Sequence, residues 1–217
     1  MRIACLHTAS SNIAVFEEAV VALGNDSLQL THTVRSDLLA AAENAGCLTP
    51  DITAQTQQAL RTLCHDHDAV LLTCSTLGPS VRAVSITVST PIIRVDEALA
   101  EQAILQGGRI VVLCAVETTI KPTSDLFLSV SAGKDSTVDI QLIPDVWDLF
   151  KNGDMNKYFT AIAAAADNAY LEGANVVALA QASMAGAAAL VKNKSRPLTS
   201  PVCGLRAAIQ PQRNESD

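Results

Sequence analysis

Asp68-Ala69-Val70-Leu71-Leu72-Thr73-Cys74-Ser75-Thr76 is an apolar run that breaks into small polar residues, and a similar stretch returns as Asn175-Val176-Val177-Ala178-Leu179-Ala180-Gln181-Ala182-Ser183. Working outward, Arg2-Ile3-Ala4-Cys5-Leu6-His7 has a counterpart in Arg109-Ile110-Val111-Val112-Leu113-Cys114. The separation is the same both times, 109 − 2 = 181 − 74 = 107. A third pair, Thr90-Pro91-Ile92-Ile93 against Ser200-Pro201-Val202-Cys203, follows a few residues out of step. Self-similarity at half the chain length implies two similar lobes with a site in the cleft between them, where both copies face one ligand. The copies differ at one position of chemical weight: Cys74 in the first is Gln181 in the second.

Around these runs, short β-branched segments alternate with longer Ala-rich segments of helical period. The pattern predicts strands at 2–7, 28–33, 69–73, 91–94, 109–114, 137–143, 175–180 and 201–203. Helices are predicted near 11–23, 52–65, 77–87, 96–106, 120–132, 155–172 and 184–193. Strands separated by helices mean parallel sheets with right-handed crossovers. The expected fold is therefore α/β, with two pseudo-symmetric, Rossmann-like parallel-sheet lobes. Residues 1–96 with 205–217 form one lobe and 97–204 the other. The polar tail from Gln210 to Asp217 reads as disordered.

Composition narrows the function. The 217 residues are 49% hydrophobic with few aromatics, enough for one large core or two small ones. A net charge of −7 supplies no basic stripe for releasing phosphate counterions, so nucleic acid is not an expected partner. Met1 to Thr8 offers only a short apolar stretch interrupted by His7, too little for a signal-peptide core. The low-polarity run from Val176 to Val191 contains Gln181 and Ser183 and is too short for a membrane span. Six cysteines without a secretion signal fit free thiols in a reducing cytoplasm. Cys5, Cys114 and Cys203 sit in apolar runs and read as core residues, whereas Cys74 ends a strand.

In parallel sheets, ligands bind beyond the carboxyl ends of the strands. That rule gathers His7, Thr8, Ser10 and Ser11, then Cys74, Ser75 and Thr76, then Glu117, Thr118 and Thr119, then Gln181, Ala182 and Ser183. Several of the Ser and Thr residues read equally well as helix caps. His7 reads either as a hydrogen-bonded structural histidine or as a titratable group near working pH. Trp147, Asp148 and Phe150 read as ordinary packing or as a lid. Cys64-His65-Asp66-His67-Asp68 suggests metal ligation, but five successive residues cannot converge on one ion without a strongly bent loop, so a solvated turn and no metal are expected.

With these stretches in view, Leu71-Leu72-Thr73-Cys74-Ser75-Thr76 with Leu77-Gly78-Pro79, the Glu117-Thr118-Thr119 turn, and Leu179-Ala180-Gln181-Ala182-Ser183-Met184 resemble the aspartate/glutamate/hydantoin racemase superfamily over nearly the whole chain. The resemblance implies a cofactor-independent enzyme acting on a small carboxylate, with one cysteine from each lobe on opposite faces of the substrate. It also implies self-association, since relatives are often dimers or larger. Gln181 stands where the second cysteine is expected.

The implied chemistry is proton transfer or isomerisation at the α-carbon of a small carboxylic acid, amino acid or hydantoin. Without a metal or pyridoxal ring, the site must supply positioning, N–H donors and a base of suitable pKa. Cys74 ahead of a predicted helix is expected to have its thiol pKa lowered, with the amides of Ser75, Thr76 and Leu77 cradling the substrate carboxylate. Thr8, Ser10, Thr118, Thr119, Gln181, Ala182 and Ser183 complete the expected binding set. An amide cannot exchange protons near neutral pH, so His7 becomes the candidate second base. The alternatives are a single-cysteine decarboxylase, a cis-trans isomerase, or a non-catalytic carboxylate sensor.

Overall fold

The computed structural model describes residues 1–25, 27–193 and 195–210; apart from Gln210, the tail read as disordered lies outside them. The chain divides into two compact units, one running from Met1 to Val95 and resuming at Gly204, the other from Asp96 to Cys203.

The first unit contains β1 (Arg2–His7), α1 (Asn12–Leu23), β2 (Gln29–Val34), α2 (Ser36–Ala45), α3 (Pro50–Cys64), β3 (Ala69–Leu72), α4 (Val81–Ser85) and β4 (Ile92–Arg94). Its strands form one parallel sheet in the order β2-β1-β3-β4. The two central strands are almost wholly buried, as expected where helices cover a parallel sheet. In α3, Ile52, Thr56, Leu60 and Cys64 recur every fourth residue and bury one stripe. Its start is fixed by Pro50 in the first turn and by the Thr49 hydroxyl, which accepts from the Ile52 amide at 3.3 Å.

Continuing along the chain, α5 (Val95–Gln106) leads to β5 (Gly108–Cys114), α6 (Ile120–Ser131), β6 (Ser136–Leu142), α7 (Val146–Lys151), α8 (Met155–Leu171), β7 (Val176–Leu179), β8 (Leu198–Thr199) and α9 (Ser200–Ile209). The second sheet is also parallel, in the order β6-β5-β7-β8. Tyr158, Ile162, Ala163, Ala166 and Ala169 of α8 are buried in a core with Val111, Leu113, Val177 and Leu179. The numerical repeat reappears in the strand register. Ile3 pairs with Ala69 and Ile110 with Val176, so 110 − 3 = 176 − 69 = 107.

Several sequence expectations need correction. Residues 201–203 are helical, within α9, and the final strand is Leu198–Thr199. Pro201 lies in the first helical turn, where its missing N–H costs nothing. The third repeat pair is accordingly realigned: Leu72 lies opposite Arg94 and Leu179 opposite Thr199, giving 199 − 94 = 105. The helix expected at 77–87 is a 3₁₀ segment, Ser75–Ser80, followed by the short α4. Pro79 supplies no amide and disfavours helical geometry at Gly78. The helix expected at 184–193 is likewise a 3₁₀ segment, Ala182–Leu190.

Candidate active site

In the first unit, Cys74 follows β3 in extended conformation and heads the 3₁₀ turn. Its side chain is half-buried, whereas Cys5, Cys64, Cys114 and Cys203 are buried. Burial pushes the Cys74 thiol above the ordinary range. Working against this are the Thr8 hydroxyl, the amides of Leu77 and Thr76, and the Thr76 side chain, all of which hydrogen-bond to the sulfur. The lowered thiol expected from a helix terminus is therefore not found, because desolvation outweighs those donors. The turn is also not the start of a long helix, so little macrodipole is available.

Behind Cys74 lies a chain of polar contacts from β1 to α1. The Thr73 hydroxyl donates to the Leu6 carbonyl at 3.1 Å, which leaves its oxygen to accept from His7 Nδ1 at 2.9 Å. His7 Nε2 in turn lies in hydrogen-bond contact with His32 Nδ1 at 2.9 Å, and His32 Nε2 hydrogen-bonds to Glu17 at 3.0 Å. His7 is completely buried, and burial, followed by the neighbouring His32, pushes its pKa down to about 4. Both of its ring nitrogens are engaged. A guanidinium packs against the same turn: a Cβ on Gly78 would lie 2.5 Å from Arg94 Cζ, so a larger residue there would displace the Arg94 side chain.

The second unit holds a different turn at the matching position. The Gln181 carbonyl oxygen accepts from the Ala115 amide at 2.7 Å, and its NH2 donates to Thr119 Oγ1 at 2.9 Å. Thr119 in turn donates to the Val116 carbonyl at 2.6 Å. Ser183 hydrogen-bonds to the Tyr158 hydroxyl at 3.0 Å, and burial pushes that phenol up to about 12. Cys114, beside Thr123, Gln181 and Thr119, is buried with its thiol shifted upward by desolvation.

The profile of the Asp/Glu/Hydantoin racemase family matches residues 6–209. The chain belongs to that family. Its fold is shared with an allantoin racemase from Pseudomonas fluorescens (16% identity, TM-score 0.70, covering 96% of this chain and 89% of that one). An aspartate racemase from Picrophilus torridus (12%, 0.68, 96% and 92%) and a glutamate racemase from Bacillus anthracis (13%, 0.62, 94% and 79%) share it too. No curated protein sequence matches.

In this racemase-family chain, the residues singled out from sequence fall into distinct groups. Thr8, Cys74 and Thr76 meet, with Ser75 half-buried between the last two. Thr119 and Gln181 meet, while Ser10 and Thr118 are exposed and Ala182 is buried. Ser11 and Thr119 precede α1 and α6 without making a side-chain cap. Trp147 stacks on Phe150 at 4.7 Å, and Phe150 contacts Tyr158, which is packing within the second unit. His67 of the Cys64–Asp68 segment bonds to the Leu63 carbonyl and to Thr31. Sequence reasoning missed Thr73, His32 and Glu17. The available signal was the parallel β1–β2 pairing, which sets Cys5 beside His32. No helix among the described residues is long and apolar enough to cross a membrane.

Proposed function

We propose that this member of the racemase family carries out cofactor-independent proton transfer at the α-carbon of a small carboxylic acid, with Cys74 as the group that exchanges the proton. The observation that carries this reading is the set of donors converging on its sulfur, namely the Thr8 hydroxyl and the amides of Thr76 and Leu77. Such donors favour the thiolate, while burial holds the resting group as a thiol. Cys74 is thereby poised to give up a proton and to be stabilised once it has done so.

Gln181 favours one-thiol chemistry. Its amide is not an acid or base near neutral pH, and both ends of it are tied into the turn after β5. In a one-thiol reaction on a malonate-like acid, the carbon–carboxyl bond breaks, CO2 leaves, and the electron pair left on carbon takes the Cys74 proton. The thiolate then regains a proton from water. In α-proton exchange, the Cys74 thiol first gives its proton to water, the thiolate so formed removes the α-proton, and after that proton exchanges with solvent the thiol returns one to the same face of the carbon. His7 is assigned a positioning role, holding Thr73 immediately before Cys74. The common register of the two sheets supports an internal duplication as their origin.

The test is incubation with hydantoins, amino acids and malonate-like dicarboxylates in D2O, following deuterium at the α-carbon by NMR and CO2 release. Native protein should exchange or decarboxylate one of these classes, and Cys74→Ser should lose about 10²–10⁴-fold. Ligand binding without exchange or CO2 release by any class would defeat the proposal.

A further inference from the structure

Away from Cys74, three side chains able to ligate a metal meet inside the first unit. Cys5 and His7 are two residues apart on β1 and share one face, and Cys5 lies opposite His32 in the parallel β1–β2 pairing. The Cys5 sulfur and one ring nitrogen from each histidine lie within 4.8 Å of one another, with His7 Nε2 and His32 Nδ1 2.9 Å apart. The far nitrogen of each ring is already held, that of His7 by Thr73 at 2.9 Å and that of His32 by Glu17 at 3.0 Å. Histidines that bind metal characteristically give the other ring nitrogen to a carboxylate, carbonyl or water, which fixes ring orientation.

We propose that Cys5, His7 and His32 form a binding site for a zinc-like divalent cation, with Glu17 and Thr73 orienting the two rings. Zinc–nitrogen bonds of about 2.0–2.1 Å and a zinc–sulfur bond of about 2.3 Å place tetrahedral ligands roughly 3.3–3.6 Å apart. The rings therefore need to separate by a few tenths of an ångström, and the Cys5 sulfur, within 4.8 Å of them, to close to about 3.5 Å. One sulfur and two imidazoles select zinc or cobalt over magnesium or calcium, which require oxygen ligands. On binding, the Cys5 thiol proton and the proton held between His7 Nε2 and His32 Nδ1 leave to solvent, and three metal–ligand bonds form at the sulfur and the two freed nitrogens. Water fills the fourth position. Access lies along β2, at the sheet edge, where the His32 side chain retains 12% of its exposure and Glu17 retains 54%.

The experiment uses the full chain in a Cys47→Ser background, which removes the exposed thiol, after stripping with a chelator. Titration with Co2+ should produce a thiolate-to-cobalt charge-transfer band and tetrahedral visible bands that saturate at one equivalent, and Zn2+ should displace them. Cys5→Ser should abolish the charge-transfer band. Glu17→Gln, which keeps all three ligands, should weaken binding about 10–100-fold, and His32→Gln by at least as much. Should Cys5→Ser fail to fold, the two variants at the sheet edge decide the matter. Absence of a charge-transfer band, or affinity unchanged in both His32→Gln and Glu17→Gln, overturns the site.

Discussion

The turn after β3 and the turn after β7 occupy matching positions in two sheets of the same strand order, yet their key side chains do opposite work. Cys74 receives hydrogen bonds at its sulfur that favour its thiolate. Gln181 spends its carbonyl on Ala115 and its amide on Thr119, stitching β7 to the turn after β5. The position equivalent to Ala115 is Thr8, since 115 − 8 = 107, and there the contact to the facing residue comes from a side-chain hydroxyl instead of a backbone amide. The thiol proposed to react stands on one frame and a hydrogen-bonded brace on the other.

Substitution can separate the two roles, and the largest effect is expected at Cys74. Cys74→Ser should lower exchange or decarboxylation by the 10²–10⁴-fold given above while moving stability by less than about 1 kcal/mol. Gln181→Ala should do the reverse. It leaves the buried Ala115 amide without its partner, costing about 1–3 kcal/mol, or roughly 2–10 °C in melting temperature by calorimetry for a chain of this size. Equal activity losses in both variants, with no stability difference, would erase the contrast.

Gln181→Cys sharpens the comparison further. It should carry a similar stability loss, because a thiol cannot supply both hydrogen bonds, and it restores the two-thiol set implied by the family resemblance. Deuterium incorporation with inversion, absent from the native protein, is the expected gain. Robust native racemisation would show that Gln181 is not the limiting substitution.

A smaller effect is expected from Thr8→Val, which removes the hydroxyl that hydrogen-bonds to the Cys74 sulfur. A hydrogen bond to the charged form favours that form, so without the Thr8 hydroxyl the thiol should titrate higher still. Because alkylation requires thiolate, the rate at Cys74 should rise with pH and continue rising above the range of an ordinary thiol. The Thr8→Val profile should lie further to the alkaline side. Smallest of all is the order of labelling: iodoacetamide at neutral pH should modify exposed Cys47 before Cys74, as peptide mapping would show. Prior reaction at Cys74 would mean that burial does not control its thiol.

Much of this was legible in the sequence for identifiable reasons. The 107-residue offset survives as strand register because central strands buried on both faces tolerate little slippage. The strand-end rule found Thr8, Cys74, Thr119 and Gln181. Helix α2 was not foreseen, although Leu38 and Ala42 form its buried stripe and Gly46 ends it at φ 68°. Its run Leu38-Leu39-Ala40-Ala41-Ala42 is apolar without helical periodicity, so the buried pair does not stand out. The 3₁₀ segments were read as helices because their composition is helix-like while Gly78-Pro79 and Gly186 act locally. A methyl group at Gly186 would fall 2.7 Å from the Phe159 ring. The Glu17–His32–His7–Thr73 chain left no motif, since its successive contacts join residues 15, 25 and 66 positions apart. The Cys64–Asp68 cluster is visible because its residues are adjacent in sequence, whereas the Cys5, His7 and His32 group proposed to bind a cation is brought together only by β pairing.

The interruption of the first unit by the second has a consequence for birth order on the ribosome. Gly204 packs so closely on Val95 that an added Cβ would lie 2.6 Å from its side chain, and Leu205 is fully buried. The segment after Asp96–Cys203 is therefore integral to the unit that began first. Translation completes the second unit while the first still lacks its closing helical turns, so the usual amino-terminal-first sequence of domain maturation is inverted here. A released chain truncated after Cys203 should protect the second unit from protease and leave the first open to cleavage.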